Sequence, residues 1–204
     1  MVLNFVEASS LATIDRQIEE IKANISPAQY EIVRQVIYQT ADFEYQSLVR
    51  FSEGALSRGA LALSATKPII VDVPEIQVSI VPQLQKTFSN SVYCCKTTPT
   101  PEDSSDQAAS TLEILGSSYP DGIFIIGQDQ AAMIKLVELI ENQTIKPSLA
   151  IATSPMLIES TAKQRLKGSH IPCIWLDSSK GGANVAAAIF NSLTNLVWRA
   201  ERNY

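Results

Sequence analysis

Near the C-terminus, Asp177-Ser178-Ser179-Lys180-Gly181-Gly182 joins a short apolar run to a helix-like stretch that begins near Ala183. In outline this is an anion site. Glycines let backbone N–H groups approach a ligand, a helix start adds partial positive charge, and Lys180 adds a full one. An ordinary glycine turn with a solvated lysine is the plainer reading of the same residues. A second concentration of polar groups, Thr40, Asp42, Glu44, Arg50 and Ser52, is interleaved with Phe43, Tyr45, Leu48, Val49 and Phe51. That mixture is expected where a helix end delivers hydrogen-bonding groups into a pocket with aromatic walls. Asp72 interrupts the β-branched run Ile69, Ile70, Val71 and Val73, where an open α/β sheet would place a ligand group, or else it caps the next turn. Gly127 follows residues 123–126 in the same manner, but a lone glycine after a strand is no dinucleotide fingerprint.

Other chemistries are excluded by residue counts. With His170 the only histidine, zinc sites built on several histidines are ruled out, as is a catalytic triad within residues 30–52. His170 precedes the last strand, the wrong end of a parallel strand for ligand contact, and reads as structural or exposed. Cys94, Cys95 and Cys173 match neither a disulfide framework nor a paired metal motif, so free thiols and no metal are expected.

The elements that must position these groups follow from periodicity. Leu11, Ile14, Ile18 and Ile21 line a first helix running from a Ser9/Ser10 cap to near Asn24, and Ser26-Pro27-Ala28-Gln29 is a capping box opening a second. Ile32, Val33, Val36 and Ile37 form the buried face of that second helix. Ser52 is expected to cap a small-residue helix through Gly54, Gly59 and Ala62. Residues 76–80, bracketed by Pro74 and Pro82, alternate like a strand and also fit a short helix. Residues 92–95 predict another strand, followed by a polar loop from Lys96 to Asp106. Strand and helix pairs then repeat: 123–126 with 130–141, 149–152 with 157–166, and 173–176 with 183–199, Trp175 being a core residue of the last strand. Such alternation predicts one α/β domain over residues 1–204, with a mainly parallel central sheet, helices on both faces and a helical N-terminal segment.

Composition is that of a globular chain: 46% hydrophobic and 18% charged residues in 204. A net charge of -5 disfavours nucleic acid as partner. The N-terminus shows neither a positively charged leader nor an unbroken apolar run, so neither export nor membrane insertion is expected, and the cytoplasm is the expected location.

The segments EIVRQVI, TADFE, LVRFS and PIIVDV, together with GIFIIG and the Lys180-Gly181-Gly182 turn, resemble the precorrin-8X methylmutase family of cobalamin biosynthesis over nearly the whole chain. The resemblance implies a homodimer with its pocket near the subunit interface. It also implies an isomerase that moves a methyl group between adjacent carbons of ring C of a corrin precursor, cobalt-bearing or cobalt-free, without a cofactor. Family members usually carry a proton-donating histidine where this chain has Tyr38, which becomes the expected catalytic residue. Thr40, Asp42, Arg50, Ser52, Asp72, Gly127, Lys180, Gly181 and Gly182 are the expected substrate-binding residues, with Arg34 a further candidate cation for a tetrapyrrole bearing carboxylate arms. Two segments depart from the family: Gly127-Gln128-Asp129-Gln130-Ala131 stands for Gly-Asn-Ala-Pro-Thr, and a helix that usually begins with arginine begins near Ser105-Asp106. A non-catalytic paralogue that binds a tetrapyrrole as carrier or sensor is the alternative these departures leave open. A dinucleotide-binding module of the same fold class is the third reading, and the least supported.

Overall fold

Ile69, Ile70 and Val71 are wholly buried, as a β-branched run must be when helices cover both faces of a sheet. They form β2 (Ile69–Val71), one of six strands in a single sheet among the described residues of a computed structural model, which are 5–98, 106–155 and 161–202. The others are β1 (Val49–Phe51), β3 (Val92–Cys94), β4 (Ile123–Ile126), β5 (Leu149–Ala152) and β6 (Cys173–Leu176). Their order is β1-β6-β5-β4-β2-β3, all neighbours parallel except β1, which runs antiparallel to β6. From β2 the chain moves outward to β3, then crosses back over β2 to β4. The strand order therefore reverses between β2 and β4, the switch point of a doubly wound sheet.

Helices α2 (Pro27–Thr40), α4 (Ala55–Ser64), α5 (Pro74–Gln85) and α9 (Ala183–Arg202) cover one face, while α6 (Gln107–Ser118), α7 (Gln130–Glu141) and α8 (Thr161–Gly168) cover the other. Side chains alternate between the two cores. Ile123, Ile125, Ile174 and Leu176 face the first, and Phe124, Ile126, Cys173 and Trp175 the second. α1 (Phe5–Gln17) lies against α2 through Leu11 and Ile14, both buried. Beside the first core, α3 (Tyr45–Leu48) is a single turn leading into β1.

The predicted α/β domain is borne out, and the strands at 123–126, 149–152 and 173–176 have the expected bounds. Two local expectations are corrected, at the first helix and at Ser52, while one strand is unanticipated and one open choice is decided. The first helix begins at Phe5, not at Ser9/Ser10, and stops at Gln17, after which Glu19–Ala23 is a separate 3-10 turn. Residues 49–51 are an edge strand, a pattern too short to carry an alternation signal. Ser52 does not cap α4; Gly54 occupies that position with φ 72. Of the two readings for residues 76–80 the helical one holds, with Pro74 in the first turn, where a missing N–H costs least, and Pro82 inside the helix near its end. The start of the expected 157–166 helix and most of the 96–106 loop lie outside the described residues.

All three cysteines are buried and unpaired, and burial pushes the Cys95 and Cys173 thiols up from their ordinary range. A thiolate is the reactive form, so these groups are expected to be inert in the folded protein. A disulfide-exchange reagent at pH 8 should release close to no chromophore from native protein and three equivalents after denaturation. Rapid native labelling would contradict this packing.

Candidate functional site

The helix carrying Tyr38 begins with both halves of its predicted capping box. The Gln29 backbone N–H donates to Ser26 Oγ (3.2 Å), and the Ser26 N–H donates to Gln29 Oε1 (2.8 Å). Ile32, Val33, Val36 and Ile37 are buried, which fixes the rotation of α2 and turns Tyr38 to its half-buried flank. The helix closes at Ala41, whose φ of 55 is left-handed and whose N–H donates to Ile37 O. Alanine there costs more than glycine would, so surrounding contacts must hold it.

Those contacts are visible. Thr40 Oγ1 donates to Val36 O (2.8 Å) and accepts from the Asp42 N–H (3.3 Å). Asp42 accepts from the Glu44 N–H (2.9 Å), and its second oxygen lies 2.7 Å from Lys180 Nζ. Lys180 is also 2.7 Å from Glu44. The hydrogen-bonded Lys180 ammonium holds the Asp42 carboxyl below its ordinary range, and Asp42 and then Glu44 raise Lys180. A lowered carboxyl contributes to folding above its unfolded value of 3.8 and loses that contribution only as pH falls through the lower folded value. The bridge is therefore closed at neutral pH.

Immediately beside that turn is a cavity of about 470 Å³, within the usual size range of ligand pockets, about 300–1,000 Å³. Ile37, Tyr38, Ala41 and Phe43 form one side of it, and Phe5, Val6, Ser9, Ser10, Thr13 and Ile14 of α1 form the other. Among the described residues no hydrogen bond occupies the Tyr38 hydroxyl. A half-buried, largely apolar wall carrying a free phenol can hold a flat, largely apolar ring and donate one hydrogen bond to it.

The remaining predicted site residues do not converge on this cavity. Lys180 and Asp42 are paired with each other, and the Gly182 N–H donates to Thr153 O (2.8 Å) rather than standing free for an anion. Gly181 has φ 151, and a Cβ there would lie 1.9 Å from Thr153 O, so its glycine serves close packing of the loop on the end of β5. Ser52 Oγ accepts from the Cys173 N–H (2.8 Å), tying β1 to β6. Arg50 stands opposite Trp175 on the sheet face away from α2, because its neighbours Val49 and Phe51 belong to the α2 side. Arg34 is engaged by Asp15 and Glu31 at 3.0 Å each.

Asp72 sits at the switch point with its carboxylate turned into the protein. It accepts from the N–H groups of Gly127 (3.1 Å), Gln128 (2.7 Å) and Asp129 (2.7 Å). Burial pushes its carboxyl above the ordinary range, and these three donors pull the other way by favouring the charged form. Gly127 is required for packing: a Cβ would lie 2.6 Å from Ile76 Cδ1 and 3.0 Å from Ala183 Cα. The amides that would greet a ligand at this position are thus taken by the chain's own carboxylate. Sequence reading missed α1 as a wall of the cavity, since Ser9 and Ser10 read there as a helix cap.

Comparison with known proteins gives a consistent picture. The family model for precorrin-8X methylmutase matches residues 6–196. A cobalt-precorrin-8 methylmutase of Synechocystis sp. is 30% identical, covering 93% of this chain and 94% of the relative. One from Methanocaldococcus jannaschii is 29% identical over 79% of this chain and 77% of its own. The crystal structure of a precorrin-8x methyl mutase from Thermus thermophilus superimposes with a TM-score of 0.84 at 27% identity, covering 97% of this chain and 99% of that one.

Proposed function

The chain belongs to the precorrin-8X methylmutase family, and from that premise we propose that the cavity between α1 and the end of α2 receives the corrin precursor, with Tyr38 as the group that acts on it. The protein is an isomerase of cobalamin biosynthesis, as its relatives are. In the reaction a methyl group leaves one carbon of ring C and bonds to the adjacent carbon, so substrate and product have the same atoms and nothing is consumed. The observation that carries the site assignment is the position of Tyr38: it lines the cavity with its hydroxyl uncommitted.

The residues then divide the work. Ile14, Ile37 and Phe43 supply apolar walls that exclude water and strengthen any hydrogen bond made inside. Tyr38 donates its hydroxyl hydrogen toward the ring C nitrogen, drawing electron density from the ring while the methyl group moves, and recovers the proton once the new bond is made. Thr40, Asp42 and Lys180 hold the turn after Tyr38, and Asp72 with Gly127 holds the neighbouring loop, so these residues act by positioning. Arg50, on the other face of the sheet from this cavity, takes no part in it.

A homodimer belongs to the same proposal. Phe5 and Val6, 87% and 71% exposed at the cavity's rim, are the surface a second subunit would cover, and light scattering tests this. Among the described residues no helix is long and apolar enough to cross a membrane. Cytoplasmic location is proposed and is tested by fractionation. Cobalt-precorrin-8, the substrate in the relatives' names, is the first compound to supply. A change in its visible spectrum to that of the methyl-shifted isomer is expected; tight binding without conversion would favour a carrier instead.

A further inference from the structure

Lys180 reaches Asp42 and Glu44 from a loop that has little of its own to hold it. The two residues after it are glycines, with φ of 151 at Gly181 and 122 at Gly182, and a glycine backbone settles on such angles only where its neighbours select them. Thr153 makes that selection. Wholly buried just after β5, it grips the Gly182 peptide from both sides: its carbonyl accepts from the Gly182 N–H (2.8 Å), and its Oγ1 donates to Gly182 O (3.0 Å). Gly181 packs against the same carbonyl too closely for any side chain. Thr153 is itself fixed, since its N–H donates to Ile126 O (2.9 Å) and the adjoining Ser154 Oγ donates to Gln128 O (3.1 Å).

That seat matters because the ion pairs it serves are open to water. The Lys180 side chain is 41% exposed and that of Glu44 68%. At such exposure an ion pair gains little once the entropy of holding a long lysine chain is subtracted. Fixing the backbone two residues away lowers that cost in advance. The hold on the turn after Tyr38 therefore begins at the end of β5. Neither Thr153 nor Lys180 lines the cavity.

Taking Tyr38 as the acting group, as above, we propose that Thr153 is a positioning residue for the reaction. Through the Gly181-Gly182 loop it places Lys180, and through Lys180, Asp42 and Glu44 it fixes the left-handed turn at Ala41 and with it the aim of the Tyr38 hydroxyl. Misalignment of an acting group slows the chemical step far more than it weakens binding. The effect therefore falls on kcat and leaves KM nearly unchanged.

Thr153→Val keeps the shape and the backbone bonds and removes only the Oγ1 donor. It is expected to lower kcat for cobalt-precorrin-8 about three- to tenfold, with KM within about twofold. Thr153→Ser retains a hydroxyl and should recover most of the loss. Lys180→Met should lower kcat about ten- to a hundredfold, and adding Thr153→Val to it should lower kcat no further, because the path to Tyr38 is already cut. Thr111→Val is the control: the Thr111 Oγ1 is buried in α6 without a partner among the described residues, so its removal should leave kcat unchanged. Losses that multiply in the double variant overturn the proposal, as does an undiminished kcat in Thr153→Val. If Thr153→Val does not fold, Gly182→Ala, which strains the same peptide, is held to the same kcat loss and the same lack of additivity with Lys180→Met. Should the wild-type chain not convert cobalt-precorrin-8, the isomerase assignment fails separately, and the hold is read by hydrogen exchange. The Ala41 and Glu44 amides, bonded to Ile37 O and Asp42 Oδ1, should then exchange faster in Thr153→Val than in the wild type or Thr111→Val, and equal rates overturn the proposal.

Discussion

Tyr38→Phe is expected to turn over cobalt-precorrin-8 about a hundred to ten thousand times more slowly than the unchanged chain, the range spanned by loss of a general acid. The ring that packs beside Ile37 and Phe43 is retained, so binding should change little and the loss should fall in kcat. Only the hydroxyl is removed, and it has no other hydrogen bond to lose. Tyr38→His is the complementary variant. An ordinary imidazolium ionises near pH 6.5 and a phenol near pH 10, both approximate, so histidine is the stronger proton donor. It should equal or exceed the wild-type rate and introduce a decline in rate as pH rises through the imidazole range. Single-turnover spectra of the three proteins at several pH values make the comparison. A Tyr38→Phe protein of undiminished rate would remove Tyr38 from the chemistry.

Asp72→Asn is expected to destabilise the fold by about 2–4 kcal/mol, among the larger effects a single isosteric change produces. Three backbone N–H groups converge on the carboxylate. An amide offers one acceptor oxygen and directs an NH₂ group at donors that have nowhere to turn. The penalty comes from buried N–H groups left without an acceptor more than from a lost charge. Denaturant unfolding with an unchanged m-value should show the midpoint falling, and hydrogen exchange should report the loss at residues 127–129. Equal midpoints for the two proteins would mean that the loop is held by its packing on Ile76 and Ala183 alone.

Where the sequence was legible, a local rule and the tertiary context agreed. The box at Ser26 and Gln29 needs only four residues and survives folding unchanged. The strands at 123–126 and 149–152 declare themselves because burial on both faces demands unbroken apolar runs. Site residues were harder. Asp72 and Lys180 were placed correctly at the ends of strands, yet each is captured by a partner more than fifty positions away, Gly127 to Asp129 in one case and Asp42 in the other. No spacing rule reports such pairings. Arg50 was grouped with Asp42 by proximity in sequence. An intervening edge strand sends its side chain to the other face, and that strand is three residues long, below the length at which a two-residue period can be seen. The Tyr38 assignment came from family resemblance; the cavity that supports it depends on α1, whose contribution is set by a clamp fifteen to nineteen positions distant.

Both borders of the sheet, β1 and β3, are only three residues long, and this has a bearing on how copies of the chain meet. A long straight border invites another backbone to join the ladder, and proteins commonly suppress that tendency by shortening it. Here so few hydrogen bonds are on offer at either margin that a continuous intermolecular sheet has little to gain. A pairing of two subunits would then rest on side chains and not on a shared ladder, and a handful of surface substitutions would abolish or redirect it while leaving the fold itself intact.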